Sequence, residues 1–404
     1  MQILRSLRHR PFALLWTGQS VSRLGDSFYR IALAWWVLEK TGSATAMGTV
    51  LTLAFAPMLL FLLVGGVAVD RFRRPAVMLV CDLSSAAIVG TVAVLAASGV
   101  LAVWHVYLAS VLFGLVEAFF YPAYTAAVPE LTPAELLPSA NSLTSLSTQV
   151  SGIAGPAAAA FVVGLGGTPL AFALDALTFV LSAVFLIPLA RHAAPPGAPA
   201  GGGRAALADL RDGLGLVLAS PWLSLTIALF ALVNVTASGP RAVALPFLVE
   251  RDLGAGVHAL GWIQSAGAAG SVAAAVWLGR RMRLRRRGPA AYLATIAAGL
   301  SLALLGLRLG LAAALAGSLL NGAAFAVFGL IWTNTLQELV PREKLGRVSS
   351  IDALGSFVLL PVGFAAAGWA TDALGPSAVF LAGGLLTAAL AALGLLHPAI
   401  RRLD

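Results

Sequence analysis

The chain reads as a succession of apolar runs, each closed by a knot of charge, a proline and glycine pair or a short polar loop. A helix rises 1.5 Å per residue, so about 20 apolar residues cross a hydrocarbon core of about 30 Å. Runs and breakers together predict twelve helices, at 12–38, 44–69, 76–97, 103–128, 139–165, 168–190, 222–249, 256–279, 289–307, 310–336, 347–370 and 376–397. Continuous runs of this length exclude a transmembrane barrel, whose strands alternate in hydropathy and need only about ten residues. The class expected is an all-α membrane protein.

Between the sixth and seventh runs lies HAAPPGAPAGGGRAALADLRDGLGLVLAS, a proline- and glycine-rich stretch followed by an amphipathic segment suited to a membrane surface. It divides the chain into an N-terminal six-helix bundle at 1–190, a linker with a surface helix at 191–221, and a C-terminal six-helix bundle at 222–404.

The two bundles repeat one another. PELTPAELLPS from Pro129 aligns without gaps on QELVPREKLGR from Gln337, pairing Glu130 with Glu338, Pro133 with Pro341 and Glu135 with Glu343. The offset of 208 also pairs Gly155 with Gly363, Gly167 with Gly375 and Phe172 with Phe380. Helices one and seven align at an offset of 211, which pairs Arg30 with Arg241 and Glu39 with Glu250. An internal repeat of six helices is the sequence signature of a transporter scaffold.

Composition agrees. Hydrophobic residues make up 59% and charged residues 11% of 404 positions, and mean hydropathy is +0.91, outside the range of soluble domains. The formal charge of +9 is not a nucleic-acid surface, because the cations sit in short knots between the runs. With both termini inside, twenty arginines and lysines fall on the cytoplasmic side, and only Lys40, Arg251 and Arg308 oppose them. The arginine knot at 280–287 suits lipid phosphates. Arg5, Arg8 and Arg10 precede an apolar stretch with no small-residue cleavage site, which reads as a retained first helix and not a signal peptide. A single cysteine, Cys81, excludes an intramolecular disulfide and reads as helix packing.

GGVAVDRFRRP after helix two resembles the signature that the major facilitator superfamily places between helices two and three, with Gly66, Asp70, Arg71 and Arg74 in its positions. Arg73 stands where a second glycine is usual, and Pro75 where a basic residue is usual. The resemblance implies that Gly66 permits close packing and that Asp70 anchors a cytoplasmic gate; a helix N-terminus beside the carboxylate would stabilise it. The matching loop GRRMRLRRRGP keeps Gly279 but has Arg283 in place of the acid, so any such latch is one-sided. SGIAGPAAAA in helix five is similar to the glycine and proline motif of the superfamily's antiporters through Gly152, Gly155 and Pro156. That segment is either a water-excluding contact or close packing alone. FALLWTGQSVSRLGDSFYRIALAWWVLEKTGSA and YPAYTAAVPEL look like the branch containing macrolide-efflux proteins and the enterobactin exporter. The implied fold is the major facilitator fold.

Charges at membrane depth mark the candidate mechanism, since each costs at least about 2.5–3.5 kcal/mol to insert. Gln19, Arg23, Asp26 and Arg30, spaced by four, three and four, share one face of helix one and are expected to line water or substrate. Asn234, Ser238 and Arg241 repeat the stripe on helix seven, and helix four adds Glu117, Tyr121 and Tyr124. Better-known drug exporters carry an arginine in helix four, where this chain has Glu117. Asp26 and Glu117 lie midway along their helices and are the candidates for proton coupling: burial and a neighbouring arginine act oppositely on a carboxyl's proton, so a substrate that displaces either drives binding or release. The alternative is a static ion-pair cluster with the helix-one arginines. Arg30 and Arg241 either clamp one anionic group or each neutralise a resident acid. Asp82, Asp175 and Asp352 are read as structural acids near helix ends.

The function expected is a secondary transporter, exporting small amphipathic compounds in exchange for protons, with a carrier of anionic substrates such as a siderophore or lysophospholipid as the alternative. Scattered histidines offer no metal pair, and no nucleophile motif or phosphate-binding loop marks an enzyme. No ATPase domain is present, so gradients must supply the energy. The expected partners are a small-molecule substrate, protons and membrane lipids, with no cofactor, no metal and no nucleic acid, and the chain is read as a monomer in the bacterial inner membrane.

Overall fold

A computed structural model describes residues 2–192, 203–280 and 286–404. Among them there is no strand. The first crossing, α1 (Arg10–Thr41), follows a short 3-10 turn and is closed by Gly42 in the left-handed region. Then come α2 (Ala44–Arg71), α3 (Arg74–Ala97) and α4 (Val103–Glu130). Next is α5 (Leu137–His192), whose 56 residues would extend about 84 Å as one rod. That is nearly three times the hydrocarbon thickness, and the chain is broken at Gly166 and Gly167, where Gly167 has φ 71° and ψ −177°. An L side chain resists that conformation, so the glycine makes two crossings of one run.

The remainder is α6 (Gly203–Ala219), α7 (Pro221–Gly239), α8 (Leu245–Phe247), α9 (Val257–Gly279), α10 (Arg287–Leu305), α11 (Leu311–Leu339), α12 (Arg342–Phe357), α13 (Leu360–Leu374), α14 (Pro376–Leu396) and α15 (Pro398–Arg401). Between α7 and α9 two π-helical turns, Pro240–Ala244 and Leu248–Asp252, flank α8 and continue the seventh crossing. The eleventh crossing runs through α12 and α13 over 343–374. Among the described residues ten helices are long and apolar enough to span a membrane; with α1, which carries the polar stripe, and the fold in α5 they give twelve crossings.

Contacts divide the chain into one unit of Met1–Gly42 and Thr49–Pro199 and another of Ser43–Gly48 and Ala200–Asp404. In the first unit Phe12, Leu15, Met78, Leu143 and Leu186 form a buried cluster. In the second, Phe230 stacks on Phe328 with ring centroids 3.7 Å apart, and Tyr292 packs edge-on to Phe230. Lipid supplies little drive for apolar helices to associate, so backbones close on small residues. A Cβ at Gly114 would strike the Ala54 carbonyl oxygen, and one at Gly322 the Gly267 carbonyl oxygen.

The repeat appears as matched contacts. Gly375 has φ 87° before α14, as Gly167 has φ 71° before the sixth crossing. Phe172 and Phe380 are both fully buried. A Cβ at Gly155 would stand 2.7 Å from Ser27 Cβ on α1, and one at Gly363 would stand 3.1 Å from Val235 Cγ1 on α7.

The segment α6 is helical: Val217 is buried among Leu223, Ile227, Val348 and Ile351, Asp212 pairs with Arg347 at 3.6 Å, and Leu214 and Leu218 are exposed. Residues 193–202, the proline-rich part of the linker, and 281–285, with Arg281, Arg283 and Arg285 of the arginine knot, lie outside the described residues.

Candidate functional site

The polar stripe of α1 is where the first unit concentrates its charge, and exposure rises along it. Gln19 is 3% exposed, Arg23 and Asp26 are half-buried, and Arg30 is exposed. Gln19 Nε2 donates to Ser182 Oγ at 2.9 Å and to Asp82 Oδ2 at 3.5 Å. Its amide is committed inside the bundle, tying α3 and α5 to α1. Gln19, expected on a substrate path, is thus buried in this structure with its amide donating to Ser182 and Asp82.

Arg23 reaches outward. Its Nη1 donates to Thr148 Oγ1 at 2.6 Å and to the Thr144 carbonyl oxygen at 3.3 Å, and its guanidinium lies 4.9 Å above the Tyr124 ring. Tyr124 in turn stacks on Phe120 at 6.1 Å. Tyr121 stands apart at 56% exposure. Arg30 Nη2 donates to Ser27 Oγ at 3.3 Å. Asp26 lies between the two arginines and feels the charge of both. Glu117, midway along α4, faces Asp26, Asp82 and Arg30. Among the described residues neither Arg23 nor Arg30 forms an ion pair within 4 Å, so acids and arginines share a field without locking together.

Two further acids join them. Asp82 is 1% exposed and Asp175 is 0% exposed. Neither sits at a helix end: Asp82 is two turns into α3, and Asp175 is two turns past the Gly167 break. The Thr178 hydroxyl donates to the Asp175 carbonyl at 2.7 Å and lies 3.4 Å from its Oδ1. A Cβ at Gly25 would stand 2.6 Å from Asp175 Oδ1 and would collide with Thr178, so only glycine lets α1 pass so close. Sequence reading placed these acids at helix ends; the available signal was that each is the lone acid of its apolar run.

In the second unit Arg241 sits on the first π turn, donates to Asn321 Oδ1 at 3.2 Å and lies 5.0 Å above the Phe325 ring. Asn234 Nδ2 donates to the Ser356 carbonyl oxygen at 3.0 Å. Ser356 corresponds to Thr148 at the offset of 208, so the Arg23 contact recurs in neutral form. Phe325 corresponds to Glu117. At the place of Glu117 the second unit thus carries an apolar ring.

In the loop signature, Asp70, Arg71 and Arg73 are exposed, and Arg74 Nη1 pairs with Glu130 Oε2 at 2.5 Å. Close packing belongs to the neighbour of the expected glycine. A Cβ at Gly66 would meet nothing within 4 Å, whereas one at Gly65 would strike the Ala118 carbonyl oxygen. Helix five brings Gly155 and buried Pro156 against α1 at Ser27, with Gly152 half-buried one turn earlier. The Cys81 thiol donates to the Val116 carbonyl oxygen at 3.7 Å, a packing role. Among the described residues no group of three or more histidines, cysteines or acids is arranged to hold a metal ion.

The family model described as Major Facilitator Superfamily matches residues 15–351, which takes in most of both units and the candidate coupling and substrate-binding residues. The chain belongs to the major facilitator superfamily. Among members of the superfamily, it is 25% identical over 408 residues to macrolide efflux protein A of Streptococcus pyogenes, covering 97% of each chain. It is 27% identical over 370 residues to the enterobactin exporter EntS of Escherichia coli O1:K1 / APEC, covering 87% of this chain and 85% of that one. Its fold is similar to a crystal structure of a bacterial homologue of the iron transporter ferroportin in an inward-facing state, with TM-score 0.73 at 15% identity over 95% of this chain and 98% of that one. The protein is a multi-pass membrane transporter and not an enzyme.

Proposed function

We propose that this transporter is a proton-coupled exporter of small amphipathic compounds, working by alternating access, with Asp26 and Glu117 as the coupling carboxyls. The observation that carries the reading is the position of Asp26: midway along α1, half-buried, and in the field of Arg23 and Arg30 without an ion pair to either. A carboxyl so placed changes its proton affinity when a substrate alters its solvation or shields an arginine. Tyr124 and the guanidinium of Arg23 supply aromatic and polar surface near it, and the exposed Tyr121 lies on the same helix as Tyr124. The likeness to a macrolide efflux protein supports export of compounds of that class. The excess of arginine and lysine in the loops that share a side with the termini supports a cytoplasmic position for both ends. The test is transport by purified protein in liposomes. A pH gradient drives accumulation of a radiolabelled macrolide, and Asp26→Asn abolishes it; driven accumulation unchanged in Asp26→Asn refutes the assignment.

A second reading, transport of an anionic substrate, is favoured by the two arginines. Arg30 donates to a serine hydroxyl and Arg241 to an asparagine carbonyl, so each guanidinium keeps its charge uncommitted to an acid within 4 Å. The likeness to an enterobactin exporter points the same way. Replacing both arginines by glutamine then eliminates transport of a catecholate anion and spares a cationic dye; equal loss of both substrates rejects it.

A further inference from the structure

The buried carboxyl of Asp175 is left unused by the proposed mechanism. Its side chain is 0% exposed, and its Oδ2 has no hydrogen-bond partner. Its Oδ1 is 3.4 Å from the Thr178 hydroxyl, which is better placed on the Asp175 carbonyl at 2.7 Å. A buried polar atom without a partner is rare and calls for a reason. Asp82 shows the contrast: equally buried on α3, it is held by Gln19 from α1 and faces Ser182.

Packing does not demand an acid there. At the same place in the second unit Asp175 becomes Gly383 and Gly25 becomes Thr236. There a Cβ at Gly383 would stand 2.5 Å from the Thr236 carbonyl oxygen, so the frame closes with the small residue on the other helix. In the first unit the side chain is given up on α1 instead, at Gly25, and the space admits a carboxylate next to Asp26. The charged and titratable groups facing Asp175 are Asp26, Tyr29 and Arg30, all from α1. From α3 the packing neighbour is Gly90, against Ala176.

We propose that Asp175 is a second proton-carrying carboxyl, which exchanges a proton with Asp26 through its free Oδ2 during transport. The proton leaves the Asp26 carboxyl and arrives on Asp175 Oδ2, so the negative charge moves from α5 to α1 and the total charge is conserved. Asp26 is then freed for Arg23 or Arg30. This rests on the proton-coupled reading above, and extends it from one site to two.

The test is infrared difference spectroscopy on the purified full-length chain between acid and alkaline pH, together with macrolide accumulation driven by a pH gradient in liposomes. Asp175→Asn is expected to remove one protonated-carboxyl band from the difference spectrum and to lower driven accumulation at least tenfold. Asp175→Glu, which keeps the carboxyl, is expected to retain a shifted band and at least a third of the accumulation. It also serves where Asp175→Asn does not fold. A difference spectrum unchanged by Asp175→Asn, or a band lost equally in Asp175→Glu, overturns the proposal, as a carboxylate capped by a fixed water would give. Failure of the underlying reading looks different: the wild-type chain then shows no gradient-driven accumulation, whatever its spectrum.

Discussion

Arg74, at the start of α3, and Glu130, at the end of α4, form an ion pair of 2.5 Å, and the second unit repeats it between Arg287 and Glu338 at 2.6 Å. Glu130 and Glu338 are the acids that the repeat aligns, and each ties together the helices on either side of one hairpin. The two pairs differ in surroundings. Arg74 and Glu130 are 34% and 28% exposed; in the second pair Glu338 is 58% exposed, but Arg287 is 20% exposed and its Nη1 is buried without a partner. Solvent screens the first pair, so Glu130→Gln should cost less than about 1 kcal/mol. Glu338→Gln leaves a partly buried cation alone and should cost about 1–3 kcal/mol. Thermal unfolding in detergent measures both, and the larger loss belongs to Glu338→Gln.

The loop signature yields an inverted glycine test. A methyl group at Gly65 meets the Ala118 backbone, which cannot yield as a side chain could, whereas one at Gly66 meets open space. Gly65→Ala should therefore lower stability by about 1–3 kcal/mol and Gly66→Ala by less than about 0.5 kcal/mol. Melting temperatures of the two variants compare them directly.

Gln19 should behave as a structural residue. Replacing it by leucine removes the donor that reaches Asp82 and Ser182, at a cost of about 1–3 kcal/mol. The variant melts earlier, and the relative rates for different substrates stay as in the wild type. A change in substrate preference at wild-type stability would return Gln19 to the binding surface.

The seam between α1 and the helix-five motif admits a rescue. Gly155→Ala collides with Ser27, whose Cβ would lie 2.7 Å from the new methyl group. Ser27→Gly removes that obstacle. The pair should be less destabilised than the sum of the single changes by more than about 0.5 kcal/mol, the mark of residues in contact.

The scaffold was legible in the sequence because its devices are local. Gly167 and Gly375 match in the repeat and both prove to hold positive φ, and runs of apolar residues with their breakers are enough to count crossings. Asp26 and Glu117 stand out because an acid at mid-helix has no cheap place in lipid. What the sequence could not disclose was which helices touch. Asp82 and Asp175 look like isolated acids until α1 is laid beside them, and Gln19 looks like part of an open stripe until Ser182 and Asp82 close over it. The π turns at Pro240–Ala244 and Leu248–Asp252 leave the apolar pattern of the seventh run intact, so periodicity reads straight through them. Gly65 and Gly66 are adjacent and chemically identical, and only the path of α4 tells them apart.

Under the proposed function protons move through the first unit in step with substrate, and their flux can be followed without any imposed gradient. Liposomes containing the purified chain and a trapped pH-sensitive dye are given a macrolide on one side with no imposed pH gradient. Adding the macrolide is expected to change the lumenal pH for the wild-type chain and to produce no change for Asp26→Asn. A substrate-evoked pH change of equal size in both, or macrolide movement in the wild type with no pH change at all, would contradict the proposed function.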